Sequence, residues 1–436
     1  MVDESEQVKT AKTPEPVGVP VPDPRVPEGA LSPGQKRRIP PKMRSARVAL
    51  AHDWLVSARG GEFVLDRFAA LVKERYASAG IYTLFANKKP ILAHINEHER
   101  ITSRLNLIPG AKGKLRRWLL PLYPGAVEAL GEKLEKAHKK NKIDLLLSTS
   151  SGLIKGLAAP EGVPHLCYCH APARYLWSIT GEYTGGGSGG AMRGIGFKLF
   201  GEKLRNWDRT TATNVTRFLA NSTHTAREIE RCFSRDSEVL YPPVRTRYFT
   251  PDPNVQREEF WLVVTALEPY KRTELAIEAA MLEGKKLMIA GTGTRQAALR
   301  RFAIKTGRRL KKAGIGKGRH KLVNFLGRVD DETLRKLYRR ARLLVFPQIE
   351  DFGIVAVEAQ ACGCPVVARR AGGALDTVLE GRSGCFFNEP TAETLRQAAK
   401  RCPTGVSDQC RASAARFSEG TFDRAAERIV RQTLSM

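Results

Sequence analysis

Glu350 and Glu358 bracket a glycine-bearing turn, Asp351-Phe352-Gly353-Ile354-Val355, in a chain of 436 residues. Before the turn, Ala341 to Phe346 is mostly apolar and closes at Pro347, the pattern of a buried parallel strand ending in a loop. A helix is therefore expected to begin near Phe352 or Gly353. Glycine there lets backbone approach a ligand, and the free N–H groups of a first helical turn, with the helix dipole, favour a phosphate. Carboxylates beside a phosphate repel it unless they point at neutral hydroxyls, from which they accept hydrogen bonds. A phosphate with hydroxyls on either side describes a sugar nucleotide, with Glu350 in the loop and Glu358 on the helix. For the pair taken alone, two solvated glutamates on an amphipathic helix are the better account.

Three further strand ends carry chemistry. The apolar run Phe260 to Thr265 delivers Lys271 and Arg272 to a strand-to-helix junction, where cations can meet a leaving diphosphate through charge-assisted hydrogen bonds. Lys286 to Ala290 runs into Gly291-Thr292-Gly293, a loop of the kind that admits a nucleotide to backbone. Arg47 to Ala51 reads as the first strand, running into His52-Asp53 and then the turn Gly60-Gly61-Glu62 ahead of a helix from Phe63 to about Tyr76. In an open α/β sheet that is the ligand edge. Asp53 is a candidate for acceptor binding or for a base at the acceptor. His165, Cys167, Cys169 and His170 lie close together. On a strand, however, the two cysteines share one face and His170 takes the other, and no second ligand pair has metal spacing, so no metal is expected. Arg174 is placed as a second polar wall on the acceptor side.

The string from Glu350 through Glu358, then Cys362-Gly363-Cys364-Pro365-Val366-Val367 and Gly372-Gly373, resembles the donor-site signature of family 4 glycosyltransferases. His52-Asp53-Trp54-Leu55 with Gly60-Gly61-Glu62, and Cys169-His170-Ala171-Pro172 with Arg174 and Trp177, resemble the bacterial GDP-mannose-dependent mannosyltransferase-like branch of envelope polysaccharide synthesis. The resemblance runs from about Arg47 to Val378. It implies the GT-B fold, a retaining reaction and a nucleotide-diphosphate sugar as co-substrate, without cofactor or metal. It further implies that Glu350 and His170 contact the transferred sugar and that Glu358 holds the ribose. Lys271, Gly60-Gly61 and backbone from Phe352 to Val355 face the diphosphate, and Arg328 and Val329 end the strand lining the base pocket. Many members carry an arginine near position 266, where this chain has Ala266; Arg272 is the candidate substitute.

The elements that must position these residues alternate as strands and helices in both halves, so the expected fold is α/β: two doubly wound Rossmann-like domains facing across a cleft. Residues 1–44, rich in proline, read as a disordered leader. Residues 45–243 form the acceptor domain, 244–258 a linker and 259–436 the donor domain, the last helix packing back on the first domain. With 72 Lys and Arg against 45 Asp and Glu, the net charge is +27. Such an excess suits an anionic membrane face, a polyprenyl-diphosphate-linked or glycan acceptor, or nucleic acid, and equally a basic proteome with no partner implied. Eight cysteines without a CxxC pair indicate reduced thiols, and no run of 18 apolar residues crosses a membrane. A cytoplasmic enzyme, peripheral on the inner membrane face, fits these properties.

Three stretches stay open at this level. Leu107 to Pro124 mixes Lys and Arg with Trp, Tyr and Leu, which suits either a membrane interface or a core helix. Gly185 to Gly190 reads as a flexible insertion or an acceptor-side lid, and the basic run between Arg295 and Lys321 as a solvated insertion or an anionic-lipid or RNA surface. Rival functions are a sugar-nucleotide epimerase or phosphorylase on the same fold, and a basic membrane- or nucleic-acid-binding module with no catalysis. No specific nucleic acid is expected.

Overall fold

The computed structural model describes residues 46–58, 60–177, 190–316 and 318–436. The proline-rich leader, Arg59, most of the Gly185–Gly190 segment and Lys317 lie outside them. Gly190 itself opens a helix, Gly190–Thr210.

The first sheet contains β1 (Arg47–Leu55), β2 (Ala77–Ala86), β3 (Arg100–Thr102), β4 (Leu145–Ser150), β5 (His165–Cys169), β6 (Arg217–Ala220) and β7 (Ser237–Val239). They are all parallel, in the order β3-β2-β1-β4-β5-β6-β7. The second holds β8 (Phe260–Val264), β9 (Lys286–Ala290), β10 (Val323–Gly327), β11 (Leu343–Phe346), β12 (Val366–Arg369) and β13 (Gly384–Phe387), again parallel, in the order β10-β9-β8-β11-β12-β13. The fold is thus two Rossmann-like parallel α/β sheets. In each, the order reverses at one point, between β1 and β4 and between β8 and β11. The crevice at the carboxyl ends of those strands is where such sheets bind ligands.

Both faces of each sheet are covered, so strand residues are apolar on both sides. On β1, Val48 and Leu50 pack against Val64, Leu65 and Phe68 of the helix Gly60–Arg75, while Ala49 and Ala51 pack with Val127, Leu130 and Leu134 of the helix Tyr123–Lys140. The C-terminal helix Glu419–Thr433 returns to the first sheet. Phe422 meets Phe68 and Tyr168 edge-on at 5.3 and 6.3 Å, and Arg67 donates to Asp423.

Four readings of the sequence change. β1 extends through Leu55, so His52 and Asp53 belong to the strand and not to a loop after it. The basic run after Arg295 is no insertion. Most of it is the helix Gln296–Lys312, whose Leu299, Ala303 and Leu310 cover one face of the second sheet and leave the cations outside. Leu107 to Pro124 forms no single core helix but short 3-10 turns, Arg104–Leu107, Lys114–Arg117 and Leu120–Leu122, before the helix at Tyr123. Finally, a helix at Ser407–Ala415 went unread, its small and polar residues giving little periodic signal.

Candidate active site

The two switch points face each other. The helix Gly60–Arg75 after β1 points its first residue at the helix Ile354–Ala361 after β11, so closely that a Cβ at Gly60 would lie 3.2 Å from Ile354 Cδ1. Glycine is required on the second helix too. Gly353 caps it with φ +96°, a left-handed conformation that costs other residues. Two helix N-termini thus border one cleft, with Phe352 buried beneath and Val355 half-buried.

Glu350 and Asp351 stand between β11 and that helix, drawn toward cations from two other segments. Lys271, at the end of the short 3-10 turn Pro269–Lys271 after β8, donates to Glu350. Arg174, after β5, reaches across the cleft to Asp351 at 2.5 Å and to Glu350 at 3.8 Å. Burial raises the Asp351 carboxyl above the ordinary carboxylate range, with the Arg174 guanidinium pulling it back. Gly372 and Gly373 make the loop possible. A Cβ on either would strike the backbone of Glu350 to Phe352, and the Gly373 N–H donates to the Glu350 carbonyl.

Opposite stand two imidazoles. His52 Nδ1 lies 2.6 Å from the Thr149 hydroxyl, and burial lowers its pKa. His170, just past β5, has its pKa pushed down to about 3, first by burial and then by His52, so it is neutral at physiological pH. Its buried Nε2 has no hydrogen-bond partner among the described residues, and a Cβ at Gly61 would come within 3.4 Å of it. The glycine therefore keeps open the space beside an unspent polar nitrogen. Glu358 is buried, accepts from the Tyr338 hydroxyl at 3.3 Å, and has its pKa raised to about 7, chiefly by burial, with Arg245 opposing. Arg328 is exposed past β10, and Val329 packs on the core of the second domain.

Some expected positions serve other purposes. Asp53 is turned into the protein. It is fully buried, and its carboxylate accepts from the backbone N–H groups of Ser151, Gly152 and Ile154 at 2.7, 2.9 and 3.0 Å and from the Ser150 hydroxyl. It holds the loop after β4. Gly291 and Gly293 are held to glycine by protein neighbours, because a Cβ at either would strike the backbone of Thr265 or Leu267. Their glycine is demanded by the segment after β8. Arg174 is ion-paired to Asp351 and is not an open wall. Arg272, exposed and in the left-handed region at φ +52°, lines a cavity of about 460 Å³ that also takes in Arg174 and Asp351, together with Trp177, His224, Tyr270 and Arg369.

Sequence reasoning missed His224 and Arg369, and also Asp376, which accepts from the Thr223 N–H and hydroxyl, both at 2.8 Å, and so ties the two domains together beside the cavity. A lone arginine at a strand end carries no distinguishing signal. Among the described residues, no three His, Cys, Asp or Glu side chains converge as metal ligands. His165 instead bonds Ser148 at 2.7 Å, and Cys167 and Cys169 are core.

Residues 245–404 match the family model "Glycosyl transferases group 1". The chain is 28% identical over 334 residues to a D-inositol 3-phosphate glycosyltransferase from Mycobacteroides abscessus, an alignment spanning 72% of this chain and 71% of that one. It is 32% identical to a GDP-mannose-dependent alpha-(1-6)-phosphatidylinositol monomannoside mannosyltransferase from Mycolicibacterium smegmatis, over 37% of this chain and 45% of the relative. Among solved structures, sucrose-phosphate synthase from Thermosynechococcus elongatus shares the fold with a TM-score of 0.65 at 19% identity, covering 89% of this chain and 99% of that one.

Proposed function

We propose that this glycosyltransferase moves a hexose, mannose by preference, from a nucleotide-diphosphate sugar, GDP-mannose by preference, to a glycan or lipid-linked acceptor of bacterial envelope polysaccharide or glycolipid synthesis, with retention of configuration. The observation that carries the donor half is the convergence of Lys271 and Arg174 on Glu350 and Asp351, beside a helix N-terminus and across from the unpaired Nε2 of His170. On this reading the diphosphate takes over Lys271 and the N–H groups at the start of the Ile354–Ala361 helix. Glu350, released, accepts from the sugar's hydroxyls, neutral His170 engages another, and Glu358 accepts from the ribose.

The bond from the sugar's C1 to the diphosphate oxygen then breaks. The acceptor oxygen bonds to C1 on the same face, and its proton passes to the departing diphosphate oxygen. No protein base and no metal are required, and the commitment of Asp53 to its own loop supports that route. The M. smegmatis relative, named for GDP-mannose, supports the donor; the M. abscessus relative, named for inositol 3-phosphate, supports an anionic acceptor.

A thermal-shift panel of nucleotide sugars tests the donor. A ligand at a hundredfold its Kd adds about 2.7 kcal/mol, so one base and one sugar should stand out; stabilisation by none overturns the reading. The enzyme is also proposed to sit on anionic membranes through the 3-10 turns, where Leu107 is 80% exposed, Trp118 56% and Leu122 53%. Arg116, stacked 4.5 Å over Trp54, is less free than its sequence suggests, so Trp118→Ala with Leu122→Ala is the better probe. The double variant should lose vesicle binding several-fold; a wild-type chain that ignores phosphatidylglycerol vesicles ends the idea.

A further inference from the structure

The cavity beside Glu350 carries more positive charge than its walls neutralise. Two carboxylates line it, Asp351 and Glu228, and each is already held by a guanidinium, Arg174 at 2.5 Å and Arg231 at 2.6 Å. Arg272 and Arg369 remain. The nearest acid to Arg272 is Glu274 at 4.0 Å, an exposed contact of little weight. Arg369, the last residue of β12, is half-buried, and its guanidinium makes no hydrogen bond or ion pair with any described residue. The adjacent Arg370 shows the contrast: it is bound by Asn388 and Glu380. His224 adds an imidazole on the same wall, and Trp177 and Tyr270 supply apolar surface.

A half-buried guanidinium without an acceptor, as at Arg369, is costly, and with the exposed Arg272 on the same cavity it makes a fork for a planar or tetrahedral anion. The helix N-terminus nearby contributes nothing, since Asp376 already accepts from the Thr223 N–H. Gly60, Gly61, Lys271 and Ile354 do not line this cavity, which adjoins the donor side and shares with it Asp351 and Arg272.

We infer that this cavity reads a phosphate or phosphodiester on the acceptor, with Arg369 and Arg272 donating to its oxygens and His224 at its edge. Only the word acceptor rests on the proposed transfer reaction; the anion site stands on the charges themselves. A soluble sugar phosphate and a lipid headgroup share this chemistry.

The test is calorimetric titration of the full chain with inorganic phosphate. Saturable binding is expected, weakened about tenfold or more in Arg369→Gln, and altered less than about twofold in Lys271→Ala and in the neighbouring Arg370→Gln. Loss in Lys271→Ala with Arg369→Gln unaffected, equal loss in Arg370→Gln, or absence of saturable binding overturns the inference. Competition then separates the sources. Glycerol 3-phosphate displacing phosphate identifies a soluble ester, phosphatidylglycerol vesicles displacing it identify a headgroup, and displacement by neither removes the acceptor role. Phosphate binding at Arg369 with a silent nucleotide-sugar panel would retire the transfer reading alone; the reverse pattern retires this inference alone.

Discussion

Asp53 and Glu350 occupy equivalent places, each a carboxylate at the carboxyl end of a strand flanking its sheet's switch point, and they are held in opposite ways. Asp53 lies in β1, and its acceptors are consumed by three backbone N–H groups and a hydroxyl from the loop of the neighbouring strand, β4. Those donors are rigid and local, so the carboxylate is part of the scaffold. Glu350 follows β11 and is met by Lys271 and Arg174, long side chains from separate segments that a bound anion can take away. A carboxylate answered by backbone builds the floor of a cleft; one answered by flexible cations is exchangeable. The kind of partner, more than burial, separates structure from chemistry here.

The largest effects test that division directly. Asp53→Asn turns an acceptor oxygen into an NH2 facing backbone N–H donors and removes the charge that strengthened each bond. About 3 kcal/mol of stability should be lost in urea denaturation. Any fraction of the Asp53→Asn variant that still folds should turn over, and an α-linked donor should give an α-linked first product by NMR. A β-linked product, or folded but inactive Asp53→Asn, would make Asp53 a base after all. Glu350→Gln should do the reverse, with stability within about 1 kcal/mol of wild type and kcat/KM down by roughly a hundred- to a thousandfold. Equal destabilisation by both variants would erase the contrast.

Next in size is the cation itself. Lys271→Ala removes one charge-assisted hydrogen bond to the proposed diphosphate, about 1.5–3 kcal/mol, or roughly ten- to 150-fold in kcat/KM for the donor. Initial-rate kinetics with varied donor check this. Unchanged constants would mean that the Lys271–Glu350 pair is as permanent as the Asp53 loop.

The scaffold was more legible in the sequence than the wiring. Strand-helix alternation exposed both parallel sheets because strands buried on two faces, such as Leu343 to Phe346, are continuously apolar. The Gly353 turn and the Gly372-Gly373 pair announced themselves because positive φ and backbone contact tolerate little else. Contacts between residues distant in sequence left no local trace. Asp53 with Ser151 and Gly152, Arg174 with Asp351, and Thr223 with Asp376 are separated by about 100 to 180 residues. The backbone contacts that demand Gly291 and Gly293 were hidden for the same reason, since a glycine admitting neighbouring backbone and one admitting a nucleotide look identical in sequence. The helix Gln296–Lys312 was hidden by its cations, which outnumber the three apolar anchors that fix it.

The smallest expected effect on donor binding concerns Glu358, which falls between the two cases, being buried like Asp53 yet answered, among the described residues, only by the Tyr338 hydroxyl at 3.3 Å. Burial raises its pKa from the ordinary 4.5 to about 7. The folded protein thus holds a proton there that the unfolded chain has released, and this group's contribution to stability falls as pH rises from about 4.5 to 7, then levels off. Across that window Glu358→Gln should gain on wild type by at most about 3 kcal/mol. Ribose hydroxyls need an acceptor, so nucleotide binding should draw on the ionised fraction, small at pH 6 and dominant at pH 8. Wild-type affinity for the nucleoside diphosphate should therefore rise about tenfold over those two units beyond any rise in Glu358→Gln, which also cancels titration of the nucleotide's own phosphate. Parallel slopes in the two proteins would make Glu358 a second Asp53, a carboxyl committed to the interior with no part in holding the donor.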